Sequence, residues 1–279
     1  MSKTKIDIRE EAAKYYDLQP DPFSGKDINF YIAHLPSKDS TVLEIGCGTG
    51  RVLIPLAKHC KHIVGIDISE SMIAQCKQKL KSAGLDSDKT IVQVNDVGKF
   101  RSSKRFDLII APFRVFQNID DDNAIEAFFD TIRFHLAENG KCILNVFKPF
   151  AETENEVRKK WDTMKVNRKV GKDDFKSSKI VCYDRISNVH PIKFICYPTI
   201  TYELYENNQV VDKVEMNISM RCYFPGDFIK IIEDNGFIIE EKWGGYSGEV
   251  YGKGPELVAK FRNKMKMSTK IKDMPGSIA

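Results

Sequence analysis

The chain is poor in several things, and each shortage excludes a class. No apolar run approaches the roughly 20 residues that a membrane-crossing helix needs, and no charged, apolar, small-residue leader pattern opens it. The expectation is a cytoplasmic protein with no membrane contact. The seven cysteines are scattered and odd in number, without a C-x-x-C pair. That argues against a disulfide framework or a zinc ribbon and for reduced thiols. A net charge of +4 over 279 residues leaves no basic footprint, so nucleic acid is not an expected partner. No repeat is visible. With 42% hydrophobic and 29% charged residues, the composition is that of one large globular domain, or of one domain plus an insertion.

What is present is concentrated at Val42–Arg51, VLEIGCGTGR. Val42, Leu43 and Ile45 read as a buried strand. Gly46, Cys47, Gly48, Thr49 and Gly50 form a tight turn, and Val52, Leu53, Leu56 and Ala57 follow at helical spacing. A strand, a glycine-rich turn and a helix in that order let a backbone approach a nucleotide-type cofactor. The alternative is a packing turn with no ligand. The spacing is G-x-G-x-G, and Arg51 stands where a dinucleotide-binding loop has its third glycine. His62 to Asp67 form a second apolar strand ending in an acid, whose carboxylate can accept from two ribose hydroxyls. Ser69 caps the helix that follows. Thr90–Val94 and Phe106–Ala111 are the third and fourth strands, and Lys141 to Phe147 the fifth.

This pattern resembles the class I S-adenosylmethionine (SAM)-dependent methyltransferases, over residues 40 to 112 in particular. The resemblance implies SAM as cofactor. It places Glu44, Gly46, Cys47, Gly48, Gly50 and Arg51 around the methionine part, with the Glu44 carboxylate helping to hold the amino end. It makes Asp67 the ribose acid and sets Ile68 and Met72 on either side of the adenine, although Met72 also reads as a plain core contact. Asp96 and Val97 would meet the adenine edge, and Asp96 also reads as a helix cap. Ala111 would close the fourth strand beside the transferable methyl group.

Residues 1–39 read as a helical cap broken by Pro20 and Pro22. Residues 40–150 and 223–263 read as an α/β, Rossmann-like doubly wound sheet with helices on both faces. Residues 151–222 break the alternation. A charged, partly helical segment from Glu152 to Lys172 is expected first. Strands follow at Ser178–Val189, Lys193–Tyr205 and Val210–Tyr223, with Glu206 to Gln209 as a hairpin turn. Their short connections make them antiparallel. The helix Gly226–Asn235 and the strands Phe237–Trp243 and Glu256–Phe261 then resume the first pattern, and residues 264–279 are a basic tail. An antiparallel β lid inserted here is similar to that of small-molecule enzymes such as the glycine, sarcosine and aminosugar N-methyltransferases.

The resemblance implies a small-molecule acceptor, methylated on an amine or a hydroxyl, and a monomer or weak dimer. The turn after the fourth strand, Ala111-Pro112-Phe113, has no Asn/Asp-Pro-Pro-aromatic signature and no nucleophilic cysteine, which separates it from the adenine-base and pyrimidine-C5 enzymes. Arg114 departs from the family, which more usually has a neutral residue there. It reads either as a clamp for an acceptor's carboxylate or phosphate or as a surface ion pair, with the Asp120 to Asp122 run as a partner. Tyr16, in Tyr15-Tyr16-Asp17, resembles the cap tyrosine that faces the methyl group; it also reads as an ordinary amphipathic helix residue. Phe113, Phe116, Tyr197, Tyr202 and Tyr223 are pocket walls or plain strand and core residues. His135 and His190 are the histidines outside the cofactor half, the first structural and the second a turn residue. No metal is expected: Asp120–Asn123 reads as a helix start, and His59 to His62 straddle a helix end and a strand start. Two alternatives stay open: an RNA-modifying enzyme using the basic stretch Arg158 to Lys172 and the tail, and a SAM-binding regulator without turnover.

Overall fold

The structure is a computed structural model. It describes residues 9–17, 23–85, 87–149, 168–175, 178–190 and 194–264, with the backbone alone over 168–190. The strands β1 (Thr41–Ile45), β2 (His62–Asp67), β3 (Thr90–Val94), β4 (Phe106–Ala111), β5 (Leu136–Phe147), β11 (Phe237–Trp243) and β12 (Glu256–Asn263) form a seven-stranded sheet. Its order is β11-β12-β5-β4-β1-β2-β3. The strands β1 to β5 pair in parallel, while β12 runs antiparallel between β5 and β11. The order reverses between β1 and β4, and doubly wound sheets bind ligands at the carboxyl edge of such a point.

Alternation along the strands supplies two cores. Leu43 and Ile45 of β1 and Val64 and Ile66 of β2 face one cluster, with Phe116, Phe128, Phe129 and Phe228. Val42 and Ile63 face the other, with Tyr31, Leu53, Cys76 and Leu80. Both faces are therefore covered, which is why these strands read as continuous apolar runs. The helices are α1 (Ala13–Tyr16), α2 (Lys26–Ala33), α3 (Leu53–Leu56), α4 (Glu70–Ser82), α5 (Asp122–His135) and α6 (Pro225–Asp234). The Ser69 hydroxyl caps α4 by accepting from the Met72 N–H at 3.2 Å. Asp121 caps α5 through the Ala124 N–H at 3.0 Å, so the acidic run is a helix start. Ile125, Phe128, Phe129 and Ile132 then bury one helical stripe.

A second sheet comprises β6 (Arg168–Phe175), β7 (Ser178–His190), β8 (Ile195–Glu206), β9 (Gln209–Asn217) and β10 (Met220–Arg221), all paired antiparallel. Asn207 and Asn208 both take positive φ, 49° and 64°, which is the geometry of a two-residue hairpin turn between Glu206 and Gln209. Three sequence expectations need correction. Arg168 to Lys172 belong to a strand and not to a helix, because this charged stretch finds a partner ladder in β7. Val210–Tyr223 is two strands rather than one. The fifth strand starts at Leu136, directly after α5, rather than at Lys141. The rest of the segment expected to be partly helical, residues 152–167, and residues 265–279 of the tail lie outside the described residues.

His135 is structural, as its place on a packing face implied. It is fully buried, its Nδ1 lies 2.8 Å from the Thr131 carbonyl, and its Nε2 accepts from the Ser102 N–H at 3.0 Å. The proton therefore sits on Nδ1. Burial, which opposes the charged ring, holds its pKa below the ordinary value. Above about pH 6.5 the ring is neutral in both states and its contribution to stability is complete. As the pH falls through that value, the unfolded chain takes up the proton first and stability is lost until the folded ring also titrates. Replacing His135 with Gln is expected to flatten the fall in Tm between pH 7 and 5, measured by thermal melts against the native protein. An unchanged pH slope would assign that fall to other groups.

Candidate functional site

The loop after β1 is fixed from beneath. Gly46 and Cys47 donate their N–H groups to the Ile66 carbonyl at 2.7 and 3.0 Å, and Gly50 donates to the Cys47 carbonyl at 2.9 Å. Three of its glycines have positive φ, but for different reasons. A Cβ on Gly46 would lie 2.4 Å from Val115 Cγ2, and one on Gly50 would lie 2.7 Å from the Cys76 thiol. A Cβ on Gly48 would meet nothing within 4 Å. Gly46 and Gly50 are thus glycines for packing, and Gly48 borders an open cradle.

Asp67, at the end of β2, faces that cradle. Its Oδ2 accepts from the Gly48 N–H and its Oδ1 from the Ser69 N–H, both at 2.9 Å. Each oxygen retains a lone pair for a ribose hydroxyl. Glu44 is buried at 2% exposure, and its Oε2 has no hydrogen-bond partner among the described residues. Burial is the main cause that pushes its carboxyl well above the usual range, with Cys76 adding to the rise and Arg51 opposing it. An orphaned buried carboxyl oxygen and an open cradle beside an acid are what a zwitterionic nucleoside ligand requires. The residues present therefore fit SAM: Glu44 would face its amino end, the loop backbone would lie along its methionine part and Asp67 would take its ribose.

Ile68 is 44% exposed at the mouth, free to cover an adenine face, while Met72 is fully buried and is a core contact. Asp96 caps a 3-10 turn by accepting from the Gly98 N–H at 3.0 Å, and Val97 begins that turn. Ala111 is wholly buried. Cys47 is also buried, in the same apolar cluster as Cys76, the packing role its size suits.

Arg51 is held by α2. Its Nη1 and Nη2 donate to the two carboxylate oxygens of the fully buried Asp27 at 3.1 and 2.5 Å. The short helix α1 spans the loop and the second sheet. On one side, Asp17 accepts from the Thr49 hydroxyl at 2.6 Å and from Lys79 Nζ at 2.9 Å. On the other, Tyr15 stacks on Tyr202 at 6.0 Å between ring centroids and donates to Asp212 at 2.5 Å. Tyr16 lies between them in sequence. Burial raises its phenol above the ordinary range, and the charges of Arg51 and Asp67 act on it in opposite directions.

Beyond β4 the backbone turns sharply. Phe113 and Arg114 both adopt left-handed φ, 55° and 66°, which costs roughly 1–2 kcal/mol per non-glycine residue. The Asn145 side chain holds the turn by accepting from the Arg114 N–H at 3.2 Å. Arg114 is not paired with the Asp120 to Asp122 run, where Asp122 is bonded to Arg221 at 2.5 Å. Its partner is Glu256 at the start of β12: Nη2 and Nε donate to Oε1 at 2.5 and 3.1 Å. No local pattern pairs residues 142 positions apart. Of the aromatics expected to wall a pocket, Phe113 packs edge-on to Phe23 at 5.8 Å, while Phe116, Tyr202 and Tyr223 are buried in the cores. Tyr197 is half-buried on β8, and His190 ends β7 with its side chain outside the described residues.

The second sheet is tied to this edge by Gln117, fully buried, which donates to the Arg221 carbonyl at 2.9 Å and accepts from the Phe147 N–H at 2.8 Å. Gln117, Asn145, Glu256, Asp27 and Phe23 belong to this site only through the fold and carry no motif in the sequence. The visible signal was a polar residue inside an apolar run, as in Ile143-Leu144-Asn145-Val146. Among the described residues no group of three or more His, Cys, Asp or Glu is placed to hold a metal, and no helix is long and apolar enough to cross a membrane.

Residues 42–140 match a family model described as a methyltransferase domain. A phosphatidylethanolamine N-methyltransferase of Cereibacter sphaeroides is 34% identical over 83 residues, which are 30% of this chain and 40% of that protein. The chain thus spans less than half the length of that relative. The CcbJ methyltransferase of Streptomyces caelestis superposes with a TM-score of 0.72 at 15% identity, over 94% of this chain and 100% of that one. A sugar N-methyltransferase from a Streptoalloteichus species gives 0.65 at 13% identity, over 93% and 94%. Residues 42–140 thus carry a methyltransferase domain, and the fold of the whole chain is the one seen in SAM-dependent methyltransferases.

Proposed function

We propose that the protein transfers the methyl group of SAM to an amine or hydroxyl of a small-molecule acceptor held between the end of β4 and the second sheet. The observation that carries this is the open cradle at Gly48, flanked by Asp67 and covered by an α1 that is itself anchored to the second sheet. When bound, SAM supplies an electrophilic methyl carbon on a sulfonium. The protein's part is to fix the geometry and exclude water. Glu44 and the loop hold one end of the cofactor and Asp67 its ribose. Tyr16, whose phenol stays protonated, is a hydrogen-bond donor rather than a base. His135 is excluded as a base because both ring nitrogens are engaged in the core. An amine needs only a neutral lone pair, so an amine acceptor fits these residues better than a hydroxyl. Residues 151–222 serve as the lid in this reading, and the free thiols of the six described cysteines suit a reducing cytoplasm.

The reading is tested by incubating the protein with methyl-labelled SAM and a metabolite extract, then identifying the labelled product by mass. The expected result is label in a small amine. Label in RNA with a steep salt dependence would favour a nucleic-acid substrate instead, and binding of SAM with no transfer to either pool would make the protein a sensor.

A further inference from the structure

The turn after β4 carries a feature that neither SAM binding nor the fold explains. Arg114, Asn145 and Glu256 form a closed ring of hydrogen bonds. Asn145 accepts from the Arg114 backbone N–H at 3.2 Å and donates Nδ2 to Glu256 Oε2 at 2.8 Å, and Glu256 Oε1 accepts from Arg114 Nη2 and Nε. Asn145 and Glu256 are buried, at 0% and 1% exposure, while the Arg114 side chain is 31% exposed. A buried carboxylate is retained only where partners compensate it, and here the partners lead outward to one guanidinium. Two of its N–H directions are taken by Glu256. Among the described residues, none accepts from Nη1. The remaining edge, Nη1 with the outer hydrogen of Nη2, is a second in-plane fork.

That edge stands in an aromatic setting. The guanidinium carbon lies 5.5 Å from the Phe147 ring centroid, 5.9 Å from that of Phe23 and 6.0 Å from that of Phe113. The Phe113 ring is also 5.4 Å from the Arg51 guanidinium at the glycine-rich loop, so one ring separates the fork from the cofactor cradle. The left-handed φ at Phe113 and Arg114 aims both side chains from the carboxyl edge of the sheet, and Asn145 fixes that backbone.

Resting on the reading above, we infer that the acceptor carries a carboxylate on a flat apolar scaffold, that the open edge of Arg114 binds it, and that Glu256 and Asn145 are positioning residues for that contact. A planar pair of oxygens matches the fork. The three phenylalanine rings fit a flat scaffold.

The test uses the whole protein saturated with S-adenosylhomocysteine, with benzoate and benzamide as probes, by calorimetry. Benzoate is expected to bind at least about tenfold more tightly than benzamide. Arg114→Lys should bring that ratio close to one, because a point charge does not reproduce the fork. Glu256→Gln should lower benzoate affinity several-fold, with benzamide and S-adenosylhomocysteine binding unchanged; a merely structural role would shift all three together. Equal binding of the two probes, binding of neither, or full preference in Arg114→Lys would overturn the carboxylate assignment. Native benzoate affinity in Glu256→Gln would overturn the positioning role. Failure to bind S-adenosylhomocysteine would remove the methyltransferase reading with it, whereas its binding without benzoate preference would remove this inference alone.

Discussion

Asp67→Ala is expected to lower SAM affinity by about a hundredfold to ten-thousandfold, measured by calorimetry. The carboxylate has two tasks at once. It accepts from the Gly48 and Ser69 N–H groups at 2.9 Å each, which sets the loop and the start of α4 relative to one another. In the proposed binding mode its remaining lone pairs accept from the ribose hydroxyls. A hydrogen bond to a charged group contributes about 1.5–3 kcal/mol, so losing both ribose bonds costs roughly 3–6 kcal/mol, at 1.4 kcal/mol per decade of affinity. Asp67→Asn separates the tasks. An amide keeps one acceptor oxygen but turns an N–H toward one of the two backbone donors, so either the loop or the helix start loses its partner. Its affinity is expected to fall between those of the native and Ala proteins. Native SAM affinity in both variants would mean that the ribose does not sit on β2.

The strand–turn–helix units that frame the candidate site were legible in the sequence, and the long-range contacts assembled by the fold were not. The Ser69 cap acts three residues from where it stands, and the glycine-rich turn and the strand-end Asp67 are each marked by their place at the end of an apolar strand, although the bond that joins them spans 19 residues. The assignments of Met72 and Arg114 were ambiguous for a physical reason. A buried methionine and an adenine-facing one share the same helical position, and Arg114 could not be paired until β12 was placed beside β5. Glu256 lies 142 residues from Arg114, in an antiparallel strand whose register no local pattern specifies. The strand β6 was hidden for a related reason. Arg168 to Phe175 is mostly charged, and its strand character comes from the ladder with β7 rather than from an apolar alternation.

The helix α1 links the two halves. Tyr15 and Asp17 are two residues apart, yet one bonds to Asp212 of β9 and the other to Thr49 of the glycine-rich loop. Tyr16 stands between these two anchored neighbours. A local tyrosine-aspartate pattern thus becomes a connection between the second sheet and the cofactor cradle. Only the structure shows it, because the partners lie 197 and 32 residues away.

Gly48→Ala is expected to abolish tight SAM binding while the protein stays folded, and the comparison with Gly46→Ala makes that outcome specific. Both glycines have positive φ, 53° and 70°, so each substitution carries a backbone cost of about 1–2 kcal/mol. They differ in what the new methyl group meets. At Gly46 it would lie 2.4 Å from Val115 Cγ2, inside the protein, so stability should fall further and Tm should drop clearly. At Gly48 it would meet no protein atom within 4 Å and would project into the cradle proposed to hold the cofactor's methionine part. The melt of Gly48→Ala should therefore shift modestly. Its SAM affinity should fall at least about a hundredfold, the equivalent of about 2.8 kcal/mol, and Gly48→Val should bind none. Calorimetry with thermal melts on the same samples checks both quantities. Native SAM affinity in a folded Gly48→Ala protein would show that the open space above this glycine is not where the cofactor lies, and the placement of Glu44 and Asp67 around it would fall as well.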